Sequence, residues 1–281
     1  MPQLDREAEN FNYAQVTALT KTIQKGTRMR KNWLFTMVIL ALPAIAAAQG
    51  SNDYHKIEAY GGFSTNHVES NLNQASFTSG GATQTFTNLC STATGDQIGP
   101  NSQRFFCTRR NFNGFDGSIT LNVSRYVGLK ANVTGHFKSQ SYLDRFNPPG
   151  VAQTLVNHER LYQFLGGIQL KNNSASKHFK PFAHALAGFA RYSNRQSQDL
   201  DLFPAFNFTI DDRVTSFAMK LGGGIDLRAG KRFDIRVIEI DYNPIFTGDR
   251  NPRAIAGPFS PVSFKGKPNH NLMVGIGVVI H

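Results

Sequence analysis

Eight segments of about ten residues, all after residue 50, carry apolar side chains at every second position. In residues 114–124 the apolar positions are Phe115, Ile119, Leu121 and Val123, and polar residues stand between them. A β-strand turns successive side chains to opposite faces, so each segment predicts a strand with one apolar and one polar face. Such segments are too short and too polar to cross a membrane as helices, but they have the length of a tilted transmembrane strand.

The alternation predicts strands at residues 56–66, 114–124, 127–138, 159–171, 179–192, 213–227, 233–243 and 269–281. Long connections are predicted at residues 67–112, 139–158, 193–212 and 244–268. They alternate with short turns, so all four long connections lie at one end, as the exterior loops of outer-membrane barrels do. The alternation changes phase near Ile238, and one extra residue in a β-bulge would account for that change.

The alternation by itself also fits a secreted soluble barrel whose apolar face surrounds a ligand. The apolar face of this chain carries almost no charge, as hydrocarbon requires, because Arg or Lys at mid-membrane costs about 2–4 kcal/mol. The polar face mixes opposite charges with many glycines, which suits the narrow interior of an eight-stranded barrel. We therefore predict an all-β fold, an eight-stranded antiparallel up-and-down transmembrane β-barrel over residues 49–281.

Residues 29–48 predict a signal peptide. Met29 and the basic residues after it precede an apolar run at 33–42, and Ala46 and Ala48 occupy the −3 and −1 positions of a cleavage site. A short buried helix is the alternative for the apolar run.

Residues 1–28 are polar and lack periodicity, so we interpret them as a non-native or disordered extension before a start at Met29. A long basic region of the signal is the alternative. Export predicts the outer membrane of a Gram-negative bacterium.

The only two cysteines, Cys90 and Cys107, both lie in the predicted connection 67–112. In an oxidising compartment, such an isolated pair predicts a disulfide. Closing a loop of this size stabilises the fold by roughly 3 kcal/mol in the chain-entropy description. No histidine or second cysteine pair accompanies them at ligand spacing, so we predict neither a metal site nor a cofactor.

The formal charge of the whole chain is +11, and residues 49–281 retain 24 Lys and Arg against 16 Asp and Glu. No basic cluster with interleaved aromatic residues is present, so the sequence gives no indication of nucleic-acid binding. The partners that we predict instead are outer-membrane lipids and lipopolysaccharide, together with an extracellular protein or host ligand at the exterior loops. We predict a monomer.

Four stretches resemble the outer-membrane barrel superfamily of outer-membrane protein A and the opacity proteins. They are SITLNVSRYVGLKANVTGHF, KPFAHALAGFARYS, IRVIEIDYNP and NHNLMVGIGVVIH, within a similarity that covers about residues 53–281. The resemblance implies eight antiparallel strands, both termini in the periplasm and four surface loops. The chain departs from the superfamily by ending on Ile280 and His281 rather than on an aromatic residue.

The predicted function is non-catalytic: a structural barrel, or one that contacts other cells or ligands through its exterior loops. The alternatives are a barrel-embedded enzyme that modifies lipid or lipopolysaccharide, and a narrow pore. The residues considered for catalysis are His136, His158, His184, His270 and the pair Asp241–Tyr242. No Ser/His/carboxylate set lies on strands at a common level, so no catalytic residue is nominated. Gly222–Gly224 lies within a strand and predicts close strand packing, not a phosphate loop.

Overall fold

The computed structural model describes residues 54–69, 74–79, 82–87, 107–145, 152–174, 176–200, 207–256 and 262–281. The predicted signal peptide and the extension before it lie outside the described residues. No helix within the described ranges is long and apolar enough to cross a membrane.

The described residues form twelve strands. They are β1 (Ile57–Val68), β2 (Gln74–Ser79), β3 (Ala82–Thr87), β4 (Arg110–Asn122), β5 (Val127–Arg145), β6 (Ala152–Lys171), β7 (Phe179–Leu200), β8 (Phe208–Arg228), β9 (Phe233–Phe246), β10 (Arg253–Ala256), β11 (Val262–Phe264) and β12 (Pro268–Ile280).

Eight of these strands close into a barrel. Each of β4 to β8 pairs antiparallel with the next strand, β1 pairs with β4, and β12 pairs with β9. Closure comes from β1 and β12, which pair from Ala59 opposite Ile280 to His67 opposite Leu272. The eight-stranded antiparallel barrel predicted from the alternation is therefore confirmed. In the connections, β11, β2 and β3 form a small sheet, and β10 pairs with β8.

The predicted loops at 139–158 and 193–212 are wrong in extent. Strands β5 and β6 pair as far as Arg145 opposite Ala152, and β7 and β8 pair as far as Gln198 opposite Phe208. These extensions were missed because their few apolar residues, among them Leu143, Leu155 and Ile210, do not recur at every second position as they do in the predicted membrane strands. Backbone pairing, which any residue except proline can make, holds them as strands.

Strands β5 to β8 have 19 to 22 residues, whereas β1, β4, β9 and β12 have 12 to 14. Seven extra residues at 3.3 Å each, tilted as in a barrel, extend these strands by about 20 Å. The extra length lies at the end where the long connections lie. We call the extended parts of β5 to β8 the projecting wall, and this end of the barrel the mouth.

The predicted β-bulge is present in β9. The pairing of β9 with β8 shifts between Ile225 and Asp226, and its pairing with β12 shifts between Gly275 and Gly277. On β9 the irregularity falls between Arg236 and Glu239. Both of these charged side chains therefore face the interior, although they are three positions apart and a regular strand would turn them to opposite faces. The bulge thus places two opposite charges side by side.

The barrel is apolar outside and polar inside, as predicted. Large exposed apolar residues occur on all eight barrel strands; they include Phe63, Ile119, Leu129, Ile168, Phe189, Leu221, Ile235 and Ile276. The inward positions carry buried Asp, Glu, Lys, Asn, Gln and His side chains. Near the mouth, this polar interior gives way to a buried apolar cluster of Leu161, Leu165, Leu186, Ala190, Ala218 and Ile245. A soluble fold would place these two surfaces the other way round.

Candidate functional site

The centre of the lumen is organised around Arg236. Its guanidinium donates to Asp226 through Nε (2.8 Å) and Nη2 (3.1 Å), and to Glu239 through Nη1 (2.7 Å). The rings of Tyr60 and Phe182 lie on either side of it, with centroids 4.1 Å and 4.0 Å from Cζ. Two carboxylates and two aromatic faces therefore offset the cost of burying this cation.

Four buried lysines extend this arrangement along the lumen. Lys171 bonds to Glu58 (3.0 Å) and Asp226 (2.9 Å), which links the centre to the end opposite the mouth. Lys220 lies 3.0 Å from Asp116 and 3.6 Å from Asp241, and Lys180 donates to Asp234 at 2.8 Å. Lys130 is the fourth. We call these lysines, Arg236 and their carboxylate partners the lumen network.

At the end opposite the mouth, His281 Nε2 lies 2.9 Å from Asp234. The His281 ring stacks on that of His55, with centroids 3.9 Å apart. Burial, with smaller effects from the positive charges of His281 and Lys180, lowers the pKa of His55 to about 4. Two stacked imidazole rings therefore lie at this end of the lumen network.

His184, Glu239 and Asp241 offer three ligand-type atoms within 4.8 Å of one another. His184 Nε2 lies 3.0 Å from Asp241 Oδ1, a separation that a shared cation could use. Lys130 Nζ already donates to His184 Nδ1 at 3.2 Å and lies 3.8 Å from Glu239. A protonated lysine here supplies the positive charge that a metal would bring and repels a second cation, so we assign this cluster to the lumen network.

Ser64 and His136 form a pair that the sequence did not predict. Their side chains meet at 2.9 Å between Oγ and Nε2, and both residues are completely buried. A serine nucleophile needs its histidine oriented by a third group, but His136 Nδ1 has no hydrogen-bond partner among the described residues. The pair fills the lumen between β1 and β5, and we assign it no catalytic role.

The two remaining candidate histidines lie on strands. His158 is exposed on β6 and bonds to Ser139 (3.0 Å), and His270 on β12 bonds to Tyr242 (2.5 Å). Asp241 points into the lumen while Tyr242 points outward, so the candidate pair Asp241–Tyr242 is divided between two faces. From the sequence candidates, the structure therefore brings together His184 with Asp241 in the lumen and His270 with Tyr242 on the outer surface.

The mouth contains a cavity of about 90 Å³ above the apolar cluster. Its floor and walls come from strands at the mouth end and from the connection between β9 and β12; they include Phe112, Leu161, Ala190, Tyr192, Ile245 and Phe264. Two ion pairs involve the charged lining residues Arg250, Asp212 and Arg110. Arg250 donates to Asp212 at 2.7 Å, and Arg110 lies 2.9 Å from Glu159, which also accepts from the Tyr192 hydroxyl at 2.6 Å.

A basic patch lies on the outer surface of the projecting wall. Arg160, Arg191, Arg195 and Arg213 are exposed there, on strands β6, β7 and β8. Ser193 on β7 pairs with Arg160 on β6 and with Arg213 on β8, so these two arginines lie on either side of it. Phe189 and Phe217 are paired with each other and both are exposed. Arg191, the first residue of the patch, is the next outward-facing residue of β7 toward the mouth. Only Arg195 lies in a predicted loop, whereas Arg160, Arg191 and Arg213 lie at the ends of predicted strands. The patch was missed because the strand register brings these residues together.

Of the predicted disulfide pair, Cys90 lies outside the described residues, so its pairing with Cys107 stays a prediction. No free cysteine occurs among the described residues. The residues that sequence reasoning missed altogether are Arg236, Arg110 and Tyr192. Arg110 lies in the predicted connection 67–112, and the partner that it shares with Tyr192, Glu159, belongs to another strand. The inward phase of Arg236 is visible in the sequence, but the β-bulge and the pairing of β8 with β9 bring it to its carboxylates.

No protein-family model matches this sequence, and no curated protein matches it. Three solved structures are similar in fold. Outer-membrane protein OprG of Pseudomonas aeruginosa is 16% identical, with a TM-score of 0.42 and coverage of 80% of this chain and 95% of that one. Ail of Yersinia pestis, solved with the heparin analogue sucrose octasulfate, is 10% identical, with a TM-score of 0.36 and coverage of 80% and 99%. The outer-membrane protease OmpT of Escherichia coli is 11% identical, with a TM-score of 0.43 and coverage of 83% and 99%.

All three TM-scores lie below 0.5. The fold is therefore established by the strand pairing of this chain and not by these similarities. The protein is an eight-stranded transmembrane β-barrel.

Proposed function

We propose that this barrel resides in the outer membrane of a Gram-negative bacterium and acts there without catalysis, as a surface protein. Its mouth and projecting wall face the exterior and contact molecules outside the cell. The observation that carries this proposal is the asymmetry of the barrel. At one end the strands stop in short turns, whereas at the other four strands and four connections extend beyond the apolar surface.

Two features of the lumen support a non-catalytic role over an embedded enzyme. The Ser64–His136 pair is completely buried, so a lipid substrate cannot reach it without opening the barrel. His184 is held between Lys130 and Asp241 in the lumen network. Neither histidine is placed at a site that a membrane lipid could enter.

The basic patch supports lipopolysaccharide as a lipid partner. Its arginines lie directly above exposed phenylalanines, at the level where acyl chains give way to phosphorylated headgroups. Guanidinium groups bind phosphate with two hydrogen bonds at once, which suits Arg160 and Arg191 to this contact, whereas Arg213 is already paired with Asp211.

An epitope tag tests the proposed orientation. We expect a tag inserted between Arg145 and Ala152 to be labelled by antibody on intact cells. The matched control is the same tag in the turn at residues 229–232, which should be labelled only after the outer membrane is permeabilised. Labelling of the 229–232 tag on intact cells, or of neither tag, would contradict the proposal.

A comparison of outer-membrane lipids tests the non-catalytic role. Mass spectra of lipid and lipopolysaccharide from cells with and without the protein should show the same acylation and headgroup composition. A modification that depends on the protein and is lost in Ser64→Ala would instead support the embedded enzyme.

A further inference from the structure

We propose that the mouth cavity binds a terminal sugar unit of a glycan. The cavity opens at the exterior end of the barrel and lies above the buried apolar cluster. By an allowance of roughly 10–15 Å³ per water, its volume holds about six to nine waters. A pyranose ring can therefore enter in part while the rest of a glycan remains outside.

Unpartnered polar atoms on the cavity wall indicate a ligand that forms hydrogen bonds. Asn194 Oδ1, Asp212 Oδ1, Ser216 Oγ and Asn271 Nδ2 have no hydrogen-bond partner among the described residues. All four of these residues line the cavity and are more than nine-tenths buried. Buried polar groups are normally satisfied, so these acceptors and this donor suit a ligand with several hydroxyl groups.

The charges on the wall indicate a ligand without a strong charge of its own. Arg250 is already paired with Asp212, and Arg110 with Glu159, so neither pair selects an anion. Lys265 and Lys267 add two positive charges to the lining and disfavour a cationic ligand, and Glu69 adds a negative charge that opposes an anion. A neutral polyol meets neither repulsion.

The apolar part of the wall separates a sugar from a simple polar solute. Phe112, Tyr192 and Phe264 contribute aromatic rings, and Leu161 and Ile245 contribute aliphatic side chains. The C–H faces of a pyranose can pack on such surfaces while its hydroxyl groups meet Asn194, Asp212 and Ser216. Small-molecule sites commonly combine an apolar lining with a few placed polar groups in this way.

Saturation-transfer NMR tests this proposal on the full chain folded in dodecylphosphocholine, a detergent without a sugar headgroup. The probes are D-glucose, D-galactose, D-mannose, L-fucose and N-acetyl-D-glucosamine. We expect at least one of them to bind with a dissociation constant on the order of 1 mM, as small polar ligands of proteins do. Absence of transfer to all five sugars would overturn the proposal.

Two adjacent substitutions locate the binding. Ser216→Val removes a hydroxyl that has no hydrogen-bond partner, so it should not harm folding, and it should weaken sugar binding about tenfold. Thr215→Val lies on the outward face of the same strand and should leave binding unchanged. Equal effects of both substitutions would overturn the proposal. Asn194→Ala provides a second cavity variant, and heat-modifiable migration in detergent gels checks that every variant is folded.

This inference depends on the proposed function only for the source of the glycan. Binding by the purified protein does not depend on which side of a membrane the mouth faces. Failure of the sugar assay would therefore leave the epitope result standing, and the reverse also holds.

Discussion

Arg236 lies in the lumen, because an arginine facing lipid at this level would be costly. It lies 2% exposed between two aromatic rings and bonds to Asp226 and Glu239. The sequence predicted its inward direction, because Arg236 shares the polar phase of its strand with Asp234. It could not predict these partners, because the bulge sets the spacing to Glu239 and the pairing of β8 with β9 supplies Asp226.

We expect Arg236→Met to lower the free energy of unfolding by about 3–5 kcal/mol, since it leaves buried carboxylates without their main cation. Urea unfolding in lipid vesicles, followed by gel mobility, measures the change. Arg232→Met in an exposed turn is the matched control and should change stability by less than about 0.5 kcal/mol. Equal effects of the two substitutions would mean that the lumen network does not stabilise the barrel.

At the scale of the strand, the sequence predicted the membrane-facing parts well and missed the extended parts of β5 to β8. Wherever one face meets hydrocarbon, alternation located the strand to within a few residues, as for β9 and β12. The alternation stopped short on the projecting wall, where apolar residues such as Leu155 and Ile210 are too few to distinguish one face from the other. The basic patch and much of the cavity wall lie in that region, so the proposed site could not be read from the sequence.

Gly222, Gly223 and Gly224 show why one strand carries three successive glycines. A Cβ at Gly223 would overlap the carbonyl oxygen of Phe182 on β7, and one at Gly222 or Gly224 would overlap a carbonyl of β9. Strand β8 therefore approaches both of its neighbours closely at this level, which confirms the predicted close packing.

We expect Gly223→Ala to destabilise the barrel by about 1–3 kcal/mol, because the added methyl group has no space. Gly61→Ala is the matched control, because no atom lies within 4 Å of its added Cβ. That change should be neutral, or should stabilise by up to about 1 kcal/mol through the unfolded state. Urea midpoints of the two variants provide the comparison, and a Gly223→Ala midpoint no lower than that of Gly61→Ala would contradict the close packing.

Across the whole molecule, the lumen is filled and not hollow. Arg236, Phe112, Lys180, Lys220, Met273, His136, Gln163 and Gln169 are among the largest side chains of the described residues that are less than 2% exposed. An eight-stranded barrel has an interior only wide enough for such side chains. The apolar cluster beneath the mouth and the lumen network beyond it follow one another along the same axis.

A filled lumen predicts that the protein does not act as a pore. Reconstituted into planar bilayers, the full chain should produce no discrete conductance steps at neutral pH. Recurrent steps of one size that disappear when the protein is omitted would favour the narrow-pore alternative and show that the network opens.

The central claim is that the apolar face of the barrel lies in hydrocarbon. Trp33, the only tryptophan, lies in the predicted signal peptide, so in the processed protein one new tryptophan reports its own surroundings. In vesicles, Ile119→Trp on the apolar face should be quenched strongly by lipids brominated near their chain ends. Asn113→Trp, exposed on the same face of β4 but above Phe115, should be quenched little. Equal quenching at the two positions, or none at residue 119, would contradict the account.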